Sequence, residues 1–210
     1  MNNKEAVWDR VEEFRHKHLA SQTDLLPVDV LTLAEIDLEL DIIPFDGLFE
    51  KYGVDAAIKP DCKGLYVDEG AYVLWEKGAI WRQYRLRFSV AHELGHYVLH
   101  REKAEQQKFS SLEEFFQWAR TNGGEKHPLE QTANEFAGRL LVPRGRLEDH
   151  FSRMVEEIDL VTPHWQTSID SLQNFASSIN RNYGVSTRVI EVRLEREGLW
   201  SIPNYRSGGI

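Results

Sequence analysis

Cysteine, basic charge and long apolar segments are all scarce in this sequence of 210 residues. A single cysteine, Cys62, cannot form an internal disulfide, so the fold does not depend on disulfide bonds. No apolar run approaches the roughly 20 residues that cross a bilayer. The first 20 residues also lack the apolar stretch of a secretory signal. We therefore expect a cytoplasmic protein with no membrane association.

The charge balance disfavours binding of nucleic acid. There are 34 acidic residues against 25 Lys and Arg, a formal net charge of −9, whereas phosphate binding requires a basic surface. An apolar fraction of 41% with 28% charged residues is typical of a soluble globular protein. We therefore expect a macromolecular partner, if there is one, to be a protein.

Hydrophobic periodicity predicts a mostly helical α+β fold with a small antiparallel sheet. The predicted helices cover residues 5–20, 28–40, 83–100, 110–120 and 129–150, with two more inside 168–199 joined at 183–186. The helix over 129–150 is expected to bend near Pro143. The predicted strands cover residues 41–45, 64–68 and 71–75, and the last two are predicted to form a hairpin around Glu69-Gly70.

An HExxH pattern occupies residues 92–96. On a helix it places His92 and His96 one turn apart on one face, close enough to share a metal ion, with Glu93 beside that ion. An isolated histidine is more often a hydrogen-bonded core residue, but this spaced pair favours a metal. Small and apolar residues share the same helical face and turn both imidazoles inward: Phe88, Ala91, Gly95 and Leu99.

Catalytic zinc usually has three protein ligands and an open position for water. Glu130 is the best candidate for the third ligand, because its helical face otherwise carries small residues that could approach Gly95 closely. Glu135 points roughly 140° away from Glu130 and is the reserve candidate. His100 could also be a ligand, although we favour a helix-end role. Asn134 could orient a ligand imidazole or simply pack between helices.

Two sequence blocks resemble the ImmA/IrrE family of metallo-endopeptidases. They are RFSVAHELGHYVLH at 87–100 and EQTANEFAGRLLVP at 130–143, and a weaker resemblance extends over about 30–195. The resemblance implies that His92, His96 and Glu130 bind Zn²⁺ and that Glu93 is the catalytic base. It also implies a zincin-like core over 1–160, followed by a helical, helix-turn-helix-like segment over 161–210 that could pack as part of one domain.

The family resemblance further implies a substrate. Its members typically cleave helix-turn-helix repressors and so relieve repression, which makes such a repressor the expected partner. This chain departs from the family pattern in the 33 residues between His96 and Glu130, which contain the predicted helix over 110–120 and alter the expected substrate cleft. In the C-terminal segment we favour packing or protein recognition over DNA binding, because its charge is balanced.

The mechanistic hypothesis is hydrolysis without a covalent intermediate. Glu93 would take a proton from a water molecule activated by zinc and pass it to the departing amine. The donor that stabilises the oxyanion cannot be chosen from the sequence among Tyr97, His127, His150, His164, Tyr183 and Arg193. Two rival functions are a non-catalytic, zinc-stabilised module that binds a protein or DNA, and a hydrolase of small amides or free peptides.

Overall fold

The computed structural model describes residues 3–20, 25–75, 77–122, 127–158 and 165–202. The helices in these ranges are α1 (Asn3–Leu19), α2 (Val30–Thr32), α3 (Leu48–Tyr52), α4 (Glu69–Val73), α5 (Ile80–Leu99), α6 (Arg101–Glu105), α7 (Leu112–Asn122), α8 (Pro128–Leu141), α9 (Arg144–Ile158), α10 (Ile169–Tyr183) and α11 (Thr187–Arg196). A π-helical turn, Leu33–Asp37, continues α2. The strands are β1 (Asp41–Phe45), β2 (Ala56–Ile58) and β3 (Gly64–Asp68). The predicted α+β class is confirmed.

The sheet has the strand order β1-β3-β2 and is mixed rather than wholly antiparallel, because β3 pairs parallel with β1 and antiparallel with β2. The predicted hairpin strand over 71–75 is wrong, since residues 69–73 form α4. Asp68 explains the difference, because its Oδ1 accepts a hydrogen bond from the backbone N–H of Ala71 at 2.9 Å. An aspartate in this N-cap position favours a helix over continued strand.

The two faces of the sheet pack into different apolar clusters. Leu65 and Val67 of β3 belong to the main core, together with residues of α1, α5, α8 and α10. Tyr66, between them in sequence, points to the other face and packs against Phe116 of α7, with ring centroids 5.2 Å apart. This alternation follows from the two-residue period of a strand. It places α7 on the opposite side of the sheet from the main core.

α5 and α8 cross closely at Gly95, as the sequence predicted. A Cβ atom at this position would lie 3.1 Å from the Cα of Ala133 and 3.2 Å from the Cβ of Phe136. That spacing is tighter than ordinary carbon contacts. The small residues therefore set the helix separation, which brings the faces carrying His92 and Glu130 together.

The C-terminal helices pack onto the rest of the chain. A run of six residues in α11, Val189–Leu194, is buried, and the main apolar cluster includes residues from Val7 to Trp200. This burial supports the packing interpretation of the predicted helix-turn-helix. The boundary predicted at residue 160 falls outside the described residues, so the domain division stays a prediction. Among the described helices, none is both long and apolar enough to span a bilayer.

Candidate metal centre

Three side chains from α5 and α8 converge on one point. The Nε2 atoms of His92 and His96 lie 3.0 Å apart. The Glu130 carboxylate places Oε2 at 3.0 Å from His92 Nε2 and Oε1 at 3.4 Å from His96 Nε2. Each of the three side chains is 16% exposed, which leaves the cluster accessible from one side. The structure thus brings together the three residues that the sequence singled out.

The donor set and its spacing fit a zinc ion. Two imidazole nitrogens and a carboxylate oxygen are the ligands of many catalytic zinc sites. Zinc bonds of about 2.0–2.1 Å in tetrahedral geometry separate neighbouring ligand atoms by roughly 3.3 Å. The observed contacts of 3.0–3.4 Å bracket this value. Among the described residues, this trio is the group of His, Cys, Asp and Glu side chains that could hold a metal.

The electrostatics of the trio also suit a cation. Burial disfavours the ionised form of Glu130, but hydrogen bonds from His92 and His96 outweigh it and hold the pKa of the carboxyl group well below its ordinary value. Burial likewise opposes protonation of His92, yet contacts with Glu130 and Glu93 raise its pKa. A divalent cation would use the same lone pairs that these groups share with a proton.

Asn134 fixes the orientation of His92. Its Oδ1 lies 2.8 Å from His92 Nδ1, so the ring donates its Nδ1 proton and a metal can replace the proton on Nε2. Metal-binding histidines usually have such a partner on their second nitrogen. Asn134 lies one turn after Glu130 on α8, and the same helix face therefore supplies both the carboxylate and the orienting group.

A longer chain of hydrogen bonds orients His96. His96 Nδ1 lies 3.0 Å from His100 Nδ1, and His100 Nε2 lies 3.0 Å from Thr132 Oγ1. The Thr132 hydroxyl donates to the carbonyl of Leu129 at 2.9 Å. One proton arrangement satisfies every link: His96 donates to His100, and His100 donates to Thr132. Once a metal replaces the Nε2 proton shared with Glu130, His96 presents its Nε2 lone pair to that metal.

His100 is therefore placed behind a candidate ligand, and its side chain does not point into the trio. Burial, followed by the neighbouring His96, lowers the pKa of His100 to about 4. The ring is thus neutral at pH 7 and can accept a hydrogen bond from His96 Nδ1–H. The sequence pattern favoured a helix-end role for His100 and did not indicate Thr132. The i, i+4 row of histidines that faces the α8 block could have indicated both His100 and Thr132.

Glu93 lies beside the trio and is held by the sheet. Its Oε2 accepts a hydrogen bond from the backbone N–H of Ile58 in β2 at 2.8 Å. Because β2 pairs with β3 through its other edge, this N–H is available to α5. The contact fixes one carboxylate oxygen and leaves Oε1 for other partners. No sequence pattern indicated Ile58, since the contact is made by the backbone.

The reserve ligand Glu135 lies on another face of α8. Its Oε1 accepts a hydrogen bond from Trp8 Nε1 at 2.5 Å and lies 3.7 Å from Arg193 Nη1. It therefore belongs to a cluster of arginines and acids and not to the candidate metal centre. Among the oxyanion candidates, His164 lies outside the described residues. The described candidates do not line the cavity at the centre: Tyr97, His127, His150, Tyr183 and Arg193.

A cavity of about 640 Å³ opens onto the trio and Glu93. This volume lies within the usual range of ligand sites, about 300–1,000 Å³. Its walls come from β2, from α5 and α8, and from the segment that precedes and includes α7. The candidate metal centre is thus accessible to a molecule larger than water.

The sequence matches a known family of proteins. The family model described as Peptidase_M78, IrrE N-terminal-like domain, matches residues 63–195. The match spans more than half of the chain and includes both helices of the candidate metal centre. No curated protein matches the sequence significantly.

Proposed function

The chain belongs to the Peptidase_M78 family of metallopeptidases, and from that premise we propose that it is a zinc-dependent endopeptidase. The observation that carries the proposal is the convergence of His92, His96 and Glu130 at an open cavity that also contains Glu93. A purely structural zinc site is usually closed by four protein ligands, whereas a catalytic site keeps a position for water.

In this function His92, His96 and Glu130 hold the metal. Zinc, when bound, acts as a Lewis acid, which polarises a peptide carbonyl and lowers the pKa of the bound water. Glu93 is the general base: it takes the proton of the attacking water and returns it to the departing amine. The Ile58 N–H holds Glu93 through Oε2, so that Oε1 carries the proton. Asn134 and His100 keep the two imidazoles in the tautomer that presents Nε2.

We propose a helix-turn-helix repressor as the protein substrate, whose cleavage relieves repression. The family resemblance supports this substrate class. A protein partner also suits the net charge of −9, which opposes attraction to nucleic acid. The burial of Val189–Leu194 adds support, because a helix buried over six residues offers few side chains to a DNA groove.

The test combines the purified zinc-loaded chain with a helix-turn-helix repressor encoded beside it and with unfolded casein. Cleavage is followed by mass spectrometry of the fragments. We expect cleavage of the repressor, and we expect Glu93→Gln to lower the rate by about 10²–10⁴-fold because the general base is lost. The variant should retain its zinc, since Glu93 is outside the ligand trio.

The two parts of the proposal fail in different ways. Cleavage of casein without cleavage of the repressor contradicts the substrate and keeps the endopeptidase. Cleavage that survives Glu93→Gln contradicts the mechanism. If the zinc-loaded protein cleaves neither protein, the endopeptidase function is wrong.

A further inference from the structure

Helix α7 lies in the stretch between His96 and Glu130, and it is packed against the sheet. Phe116 is fully buried, with its ring centroid 5.0 Å from that of Phe45 and 4.8 Å from that of Tyr52. Phe115 is also buried and packs against Phe109 at 5.3 Å. Aromatic pairs of this kind stabilise beyond their buried area. Helix α7 is therefore anchored to the sheet by its buried aromatic side chains.

One side of α7 forms a wall of the cavity at the candidate metal centre. Phe115, Trp118 and Ala119 line it from α7 and are spaced i, i+3 and i+4, which places them on one helical face. Phe109 lines the cavity as well, and its ring lies 5.4 Å from that of Trp118. Trp118 is 40% exposed, so a bound molecule could cover a large aromatic surface there.

Two arginines line this part of the cavity, and one is paired while the other is exposed to solvent. Arg85 lines the cavity but pairs with Asp55 at 2.8 Å and stacks on the Phe49 ring at 3.7 Å. Arg120 of α7 also lines the cavity and is exposed. Apart from Arg120, α7 therefore offers apolar and aromatic surface to a molecule that reaches the metal centre.

We infer that α7 forms a specificity pocket that accepts a large apolar side chain of the substrate, such as Phe or Leu, near the scissile bond. This inference rests on the proposed function and names the feature of the substrate that the site selects. Burial of a large apolar side chain against aromatic rings favours binding. An acidic or small side chain at that position lacks this contribution. Trp118 and Phe109 are the specificity-determining residues.

The test uses fluorescein-labelled glycine peptides that carry one variable residue X: Phe, Leu, Ala or Glu. Binding to the zinc-loaded Glu93→Gln variant is measured by fluorescence anisotropy, and cleavage by the unmodified chain is measured on the same peptides. We expect the Phe peptide to bind about 10-fold more tightly than the Ala peptide. Trp118→Ala, and separately Phe109→Ala, should lower this ratio to about threefold or less.

Leu112→Ala is the matched control, because Leu112 is an exposed apolar residue of α7 that does not line the cavity. It should leave the ratio unchanged. Equal binding of the Phe and Ala peptides, or a ratio that survives both pocket variants, overturns the inference. Selective peptide binding by a chain that cleaves neither the repressor nor casein keeps the pocket and contradicts the proposed function. Cleavage of those proteins without peptide selectivity keeps the proposed function and contradicts the pocket.

Discussion

Helix α8 contributes a glutamate to each of two clusters of ionisable side chains, which differ in their partners and in their exposure. On one face Glu130 meets the imidazoles of His92 and His96 beside an open cavity. On another face Glu135 lies among arginines in the interior. The second cluster also contains Arg139, Arg193 and Glu197, whose side chains are 4%, 2% and 0% exposed.

The difference lies in what balances the acids. In the second cluster Glu197 accepts hydrogen bonds from Arg139, at 2.6 Å, and from Arg193. Guanidinium groups are permanently charged and satisfy buried carboxylates without a metal. In the first cluster the partners are imidazoles, which are metal ligands when neutral. Two glutamates on one helix thus have different roles because of the groups opposite them.

Breaking the second cluster should have the largest effect on folding. Arg193→Ala leaves the buried carboxylate of Glu197 with fewer partners, and we expect the free energy of unfolding to fall by about 3–5 kcal/mol. Denaturant unfolding measures this change. Arg196→Ala is the control on the same helix, because Arg196 is 47% exposed and should contribute about 1 kcal/mol or less. Equal effects of the two variants would contradict the structural role of the cluster.

The next prediction concerns His100, which orients His96 of the first cluster. His100→Ala removes the acceptor of the His96 proton, and we expect zinc affinity to fall about 10–100-fold. Competition with a zinc-binding dye measures the affinity. His100→Gln, which can still accept a hydrogen bond, should restore part of it. His150→Ala is the control, since His150 pairs with Tyr183 at 2.8 Å. Unchanged affinity in His100→Ala would refute the positioning role.

The smallest expected effect concerns the helix contact that aligns the first cluster. Gly95→Ala adds a methyl group 3.1 Å from the Ala133 backbone. Overpacking costs about 1–3 kcal/mol, and the better helix propensity of alanine offsets about 1 kcal/mol. We expect a net loss of about 0–2 kcal/mol with weaker zinc binding. Gly145→Ala, where the added atom meets nothing within 4 Å, should weaken neither property.

Local patterns predicted the elements that carry the candidate site. The HExxH spacing and the small residues around Glu130 indicated α5, α8 and their close crossing at Gly95, because both signals depend on helical periodicity. The parallel pairing of β1 with β3 was not predictable in this way, since strand order depends on distant contacts. The α4 error arose because the aromatic and β-branched residues of 71–75 suggested a strand, while the Asp68 side chain capped a helix.

Contacts between distant segments could not be predicted from the sequence. The Ile58 N–H that holds Glu93 belongs to the backbone and leaves no signature in residue type. The aromatic wall of α7 was visible only as an amphipathic helix, because nothing local indicates which side faces a cavity. Glu130 and Glu135 were separated correctly by helical geometry alone, yet the arginine partners of Glu135 come from α8 itself and from α11, far along the chain.

The most direct test of the account is the zinc content of the purified protein, measured by elemental analysis for the unmodified chain and for paired variants of α8. We predict about one zinc per chain, lost in Glu130→Gln, His92→Ala and His96→Ala and retained in Glu135→Gln. Zinc retention in Glu135→Gln, with loss in Glu130→Gln, would assign the metal to the first cluster. Loss of charge cannot explain the difference, because each variant removes one charge from the same helix. Zinc that persists in Glu130→Gln and disappears in Glu135→Gln, or no zinc in the unmodified chain after zinc loading, would contradict the assignment of the metal centre.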